Sequence, residues 1–196
     1  IEIESIADAL PIVRKEIAAT KKKKAVERSS IDQRIDYRWI DLRTDENQLM
    51  FKAQSCFVNA MRKFLLDRNF IEIHTPKLIA AASESGSEVF KVDYFDRNAY
   101  LAQSPQFYKQ MAMAAGFERI FETGPVFRAE KSYTNKHSTE FSGFDLEFSY
   151  ITSFKDVMKM EEELLTAGLQ AVKDNYGDQI KELFGQEVIV PTTPFP

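Results

Sequence analysis

Apolar residues between positions 45 and 68 recur at Leu49, Ala53, Cys56, Phe57, Ala60, Met61 and Phe64. Steps of three and four residues put them on one face of a helix. Asp45 and Glu46 stand in its first turn, where the helix dipole favours negative charge. Cys56 on this stripe reads as a small buried hydrophobe. A second helix is expected over 154–173, capped by Ser153, with Phe154, Val157, Met158, Leu164, Leu165, Leu169 and Val172 inward. A third starts at a Ser104 cap and Pro105 and ends at Gly116. Its Phe107, Met111, Ala114 and Ala115 point one way, and Gln106, Lys109, Gln110 and Met113 the other.

Between these helices the period changes to two. Phe70 to Ile73 is strand-like and stops before Pro76. Val89 to Phe95, with Phe90, Val92 and Tyr94 on one face, turns at Asp96–Asn98 into Ala99–Ala102, a hairpin. Residues 82–88 form a small-residue loop. Two longer strands are expected over Arg119–Glu130 and Thr139–Tyr150, joined by a polar loop over 131–138. A short helix near 178–184 and a strand near 187–190 close the pattern. In the first thirty residues Pro11 interrupts the helical spacing of Ile6, Leu10, Val13 and Ile17, and Lys21–Lys24 reads as a solvated hinge. The elements do not alternate regularly, so the pattern predicts an α+β fold, a mostly antiparallel sheet flanked by helices.

Composition narrows the class. Of 196 residues 44% are apolar and 29% charged, and 16 are Phe, enough to build a core and to exclude general disorder. One cysteine excludes a disulfide within the chain and a multi-cysteine zinc site, the usage of a reducing compartment. No apolar run reaches 18 residues, so no membrane partner is expected, and the start lacks a signal-peptide layout. Without an initiator methionine, and with Pro191–Pro196 at the other end, the chain reads as a fragment. Its net charge of −4 provides no global field for nucleic acid.

Phosphate loops, dinucleotide fingerprints, HExxH and CxxC are absent, and the two histidines, His74 and His137, lie outside any Gly-x-Ser-x-Gly turn. What remains is charge concentrated on strands. Arg128 and Glu130 share one strand face, and so do Asp145 and Glu147. Paired as a hairpin, they would gather an arginine and three carboxylates on one surface, beside Glu84 of the small loop. That surface is either a ligand-binding face or a solvated face with cross-strand ion pairs. The arginine suits a phosphate or carboxylate, and the carboxylates suit an ammonium group, a hydroxyl or a metal. His137 is either an exposed loop residue or a polyphosphate contact; Lys109 is either solvated or reads a carboxylate.

The residues also carry a resemblance. Phe127-Arg-Ala-Glu130, followed by His137 and Thr139-Glu-Phe141, resembles motif 2 of class II aminoacyl-tRNA synthetases, and the long helix running into Phe70–Pro76 resembles their motif 1. The stretch Ala99–Gln110 and the loop Ser83–Ser87 are similar to the aspartate-specific members, most of all those of the eukaryotic and archaeal branch. Arg34–Arg43 resembles the beginning of their catalytic domain. The resemblance covers roughly Arg34 to Val172. It implies a partial class II catalytic domain over 34–196, with 1–33 a hinge or linker that follows an anticodon-binding domain.

It implies an aminoacyl-tRNA ligase that activates L-aspartate with ATP and transfers it to the 3′ end of tRNA-Asp. Arg128 would be the catalytic residue, holding the α-phosphate and the attacking carboxylate. Glu130 would face the adenine amino group, Phe141 would stack on the ring and His137 would reach the γ-phosphate. Gln106 and Lys109 would hold the aspartate, Glu84 would close over its ammonium, and Asp145 would orient the pocket. Pro76 would belong to a homodimer interface. Mg²⁺ would be held mainly by residues beyond 196, together with a third motif and a second aspartate-reading arginine, so this stretch alone would be inactive. A cytoplasmic location follows from the same likeness. Ser85 stands where the family usually has Gly, and Tyr133, Asn135 and Lys136 replace commoner Asn, His and Arg. Asparaginyl- and lysyl-specific relatives, an amidating relative, and a non-catalytic paralogue acting as a dimerising module are the alternative readings.

Overall fold

The computed structural model describes residues 8–13, 28–81, 88–131, 134 and 136–195. Its elements are α1 (Ile31–Asp36), α2 (Arg38–Asp41), α3 (Asp45–Leu66), β1 (Ile71–Glu72), β2 (Leu78–Ile79), β3 (Lys91–Tyr94), β4 (Arg97–Leu101), α4 (Gln106–Ala114), β5 (Arg119–Phe127), β6 (Glu140–Phe148) and α5 (Phe154–Phe184). They divide into two compact units, Ile1–Ala60 with Thr166–Thr192, and Met61–Leu165 with Thr193–Pro196. The Lys21–Lys24 run lies outside the described residues.

In the first unit Ser30 caps α1, its hydroxyl accepting the Gln33 N–H at 3.3 Å. The two short helices α1 and α2, not expected from the pattern, turn around the fully buried Asp41. Arg34 and Arg38 each approach its carboxylate to 2.7 Å. The apolar stripe of α3 is at least half-buried throughout, with Leu49 and Met61 most enclosed; Cys56 is only half-buried, short of the full burial expected.

The second unit holds two three-stranded sheets, ordered β1-β5-β6 and β2-β4-β3. Among the described residues only β1 and β5 run parallel; the other pairs are antiparallel, in keeping with the mostly antiparallel α+β fold expected. Asn69, at φ 62°, ends α3 and turns the chain into β1, and Arg62 grips Glu72 with two nitrogens. β1 and the unexpected β2 are two residues each, because Pro76 lies between them. The hairpin turn falls at Phe95–Asp96, one residue earlier than expected, since Tyr94 pairs with Arg97. Strict alternation along β5 and β6 gives their sheet two unlike faces. One carries Phe121, stacked on Phe144 at 5.8 Å, and Phe148, edge-on to Phe70 at 6.0 Å. The other carries Glu122, Asp145 and Glu147.

Three expectations are corrected. Helix α5 is continuous to Phe184, where Gly185 at φ 66° stops it, so neither a separate helix at 178–184 nor a strand at 187–190 forms. Gly177 lies inside it, where a Cβ would meet only Lys173 Cγ at 3.7 Å, so nothing in the packing there requires glycine. Phe154, Val157 and Met158 in its first turns are exposed, not inward. Finally, α4 is turned the other way: Phe107 and Met111 are exposed and Ala114 and Ala115 with them, whereas Lys109 is buried. The helix starts at Gln106, whose N–H is still met by the Ser104 hydroxyl at 3.3 Å.

Candidate functional site

The antiparallel register sets Glu122 opposite Asp145, Gly124 opposite Gly143, and Val126 opposite Phe141. These six residues alternate onto one face, which α4 partly covers. The two glycines leave its middle recessed. A cleft of about 90 Å³ opens there, lined by Lys77, Gln103, Ser104, Arg128, Phe141 and Asp145 among others. A second cleft of about 270 Å³ is lined by Arg128, Glu130, Lys136, His137, Ser138 and Phe141. Arg128 and Phe141 wall both, and the guanidinium carbon lies 5.5 Å from the Phe141 ring centroid.

β5 ends at Phe127, so Arg128 and Glu130 lie just past the strand on which they were expected. The ladder spacing nevertheless continues for one step, the Arg128 N–H donating to Thr139 O at 2.9 Å. That bond fixes the backbone while the side chain stays exposed, free to meet a ligand. His137 is exposed too, with Nδ1 2.5 Å from the Thr134 hydroxyl.

Lys109 projects from the inner face of α4 with its side chain 6% exposed. Its ammonium pairs with Asp145 Oδ1 and stands 3.2 Å from Glu147 Oε2. A buried ammonium without such partners would be strongly unfavourable, so the carboxylates decide which side of α4 faces the sheet. Gln106, one turn earlier, is half-buried. The structure therefore brings Lys109, Asp145 and Arg128 to one face, and gathers Arg128, Glu130, His137 and Phe141 around the second cleft. Glu84 lies outside the described residues, as do Tyr133, Asn135 and Ser85. Pro76 is exposed, between Thr75 and Lys77.

Sequence reasoning missed Glu122, Thr75, Lys77 and Gln103. Glu122 is 3% exposed and accepts the Thr75 N–H at 2.9 Å, the Thr75 hydroxyl at 2.7 Å and the Lys77 ammonium at 2.9 Å. Burial pushes its carboxyl up, but these donors and the Lys77 charge outweigh it and hold the group below the ordinary carboxylate range. Parity alone could have found Glu122, which shares a face with Gly124, Val126 and Arg128. Gln103 is buried, and its side-chain amide donates to Glu88 O at 3.1 Å. Among the described residues no group of three or more His, Cys, Asp or Glu side chains is placed to hold a metal ion. No helix among them is long and apolar enough to cross a membrane.

Comparison with known proteins bears on this geometry. The family model described as tRNA synthetases class II (D, K and N) matches residues 30–195. An aspartate–tRNA(Asp/Asn) ligase of Methanopyrus kandleri is 48% identical over 85% of the chain and 38% of its own length. A cytoplasmic aspartate–tRNA ligase of Caenorhabditis elegans is 44% identical over 91% of the chain and 34% of its own. The asparaginyl-tRNA synthetase of Pyrococcus horikoshii, solved with asparaginyl-adenylate, superposes with a TM-score of 0.75 at 35% identity, covering 81% of this chain and 36% of that one. The chain thus spans a little over a third of the length of the curated relatives it matches.

Proposed function

This chain belongs to the class II tRNA synthetases of the D, K and N type, and from that premise we propose that the whole protein is an aspartate–tRNA ligase. It activates L-aspartate with ATP and passes the aspartyl group to tRNA-Asp. A carboxylate oxygen of aspartate attacks the α-phosphorus in line, the bond to pyrophosphate breaks, and aspartyl-adenylate forms. The protein's work in such a step is positioning and charge neutralisation, with no side-chain nucleophile.

The observation that carries the reading is the place of Arg128, which walls both clefts. A planar guanidinium there can bridge the α-phosphate and the attacking carboxylate, one from each side. In the larger cleft Phe141 stacks on adenine, Glu130 takes its amino group and His137 reaches the γ-phosphate. At the smaller one Asp145 of the lining, held by Lys109 behind it, and Gln106 on the same helix as Lys109 receive the amino acid, with Glu84 closing over its ammonium. Lys109 favours an acidic over an amide side chain, which sets this reading apart from an asparagine-specific one. A homodimer through α3 and the Pro76 segment, Mg²⁺ bound mainly outside this stretch, and a cytoplasmic location like that named for the nematode relative complete the proposal.

The test is pyrophosphate–ATP exchange by the full-length protein with aspartate, asparagine or lysine. Exchange that depends on aspartate is the expected result, and exchange supported by asparagine alone would overturn it. Arg128→Ala should lower the aspartate-dependent rate on the order of 10²-fold or more, as when a transition-state charge donor is removed.

A further inference from the structure

One cation in the smaller cleft has no part in the steps above. Lys77 directly follows Pro76, and its ammonium lies 2.9 Å from Glu122 Oε1 and 3.0 Å from the Thr75 hydroxyl. An ammonium has three N–H donors. Two are used, and among the described residues the third has no partner, although the side chain is only 21% exposed. The nitrogen lies 3.8 Å from where a Cβ on Gly124 would stand, over the recessed floor made by Gly124 and Gly143.

Charge on this face gives the arrangement a purpose. Glu122 and Asp145 are register neighbours across the ladder, and two carboxylates so placed repel each other and any anion entering the cleft. Lys109 answers Asp145, and Lys77 answers Glu122. Mere neutralisation of Glu122 would not need the ammonium to wall the cleft with a donor unspent. Glu122 and Thr75 instead pin the lysine in one position, which spares a bound ligand the cost of ordering a long flexible side chain.

We propose that Lys77 is a second cationic reader of the amino-acid substrate, its remaining N–H donating to a carboxylate oxygen of an anionic amino acid seated over Gly124 and Gly143. Glu122 and Thr75 are positioning residues for it. The inference rests on the amino-acid-activating function proposed above, and the same assay separates the two.

Pyrophosphate exchange is measured with the full-length protein, varying aspartate and ATP in turn. Absence of aspartate-dependent exchange in the parent would overturn the function itself. Given that exchange, Lys77→Met should raise the KM for aspartate about tenfold, the loss of one charge-assisted hydrogen bond, with kcat and the KM for ATP within about twofold. Lys77→Arg should recover part of the loss. The double variant Lys77→Met with Glu122→Gln removes both charges, so a purely neutralising Lys77 would let the aspartate KM return to the parent value; it should stay raised. An unchanged aspartate KM in Lys77→Met, its recovery in the double variant, or a shift confined to ATP would each overturn the inference.

Discussion

Asp41→Asn probes how residues 28–47 are held. The carboxylate is fully buried and accepts from Arg34 Nε at 2.7 Å, Arg34 Nη2 at 3.2 Å, Arg38 Nη1 at 2.7 Å and Asn47 Nδ2 at 3.0 Å. A third guanidinium, that of Arg28, stands at 3.5 Å. Asparagine keeps the volume, so no cavity opens; it removes the charge and turns an NH₂ toward groups that are themselves donors. Removing one partner of a buried ion pair costs about 3–5 kcal/mol. The Arg28 and Arg38 side chains keep 32% and 41% exposure, so water takes over part of their solvation. That places the expected loss near the lower end, about 3 kcal/mol. With a urea slope of about 2 kcal/mol/M, the unfolding midpoint should fall by about 1.5 M.

The acid dependence gives a second, independent readout. Hydrogen bonding by Arg34 is the main reason the Asp41 carboxyl lies below its ordinary value; burial opposes it, and the Arg34 charge, Asn47 and the Arg28 charge add to it. With the folded value below the unfolded one, the contribution to stability is complete above the unfolded pKa, about 3.9, and is lost as pH falls through the folded value. Parent and variant should therefore differ fully at pH 7 and converge in acid. Trp39, the only tryptophan, sits in α2 beside Asp41 and reports unfolding of this segment by fluorescence. A midpoint within about 0.3 M of the parent at pH 7, or a gap that does not narrow in acid, would refute the assignment.

Two further outcomes concern the full-length protein. Lys109→Met leaves Asp145 and Glu147 facing each other without their cation, so kcat/KM for aspartate in the full-length protein should fall on the order of 10²-fold, far more than for ATP, and the preference over asparagine should narrow without reversing. A variant that discriminates as well as the parent would place Lys109 in a structural role alone. Full-length protein at micromolar concentration should sediment as a dimer, because the α3 stripe and the exposed Pro76 segment resemble a dimer-forming motif; a clean monomer would rule that out.

Much of the fold was legible because local patterns agreed with long-range pairing. The α3 stripe, the alternation in β5 and β6 and the 89–102 hairpin all formed near their expected places. Where the reading failed, a contact distant in sequence decided. β2 exists because Leu78 and Ile79 meet Leu101 and Tyr100, a pairing that two residues cannot announce. The stretch expected as two helices, over 154–173 and near 178–184, is one, since the glycine between them, Gly177, costs a helix only about 1 kcal/mol and a helix of 31 residues carries it. Lys77, unlike Glu122, had no parity to announce it: the bonds joining its neighbour Thr75 to Glu122 span 47 residues.

The reversal of α4 shows what patterning omits. Its two faces are comparably distinct on a helical wheel, and the wheel assigns the apolar one to the core by default. That default assumes an apolar surface to pack on. Helix α4 instead meets the sheet face that bears Asp145 and Glu147, where a lysine is the complementary side chain and a methionine would leave two carboxylates unanswered. On the function proposed above, the charges that would bind the amino acid therefore also orient the helix packed on this face. Orientation and recognition are then one property of this face, so a substitution that changes the sign of charge at Asp145 or Glu147 should disturb the seating of α4 along with the chemistry, whereas one at exposed Met111 should disturb neither.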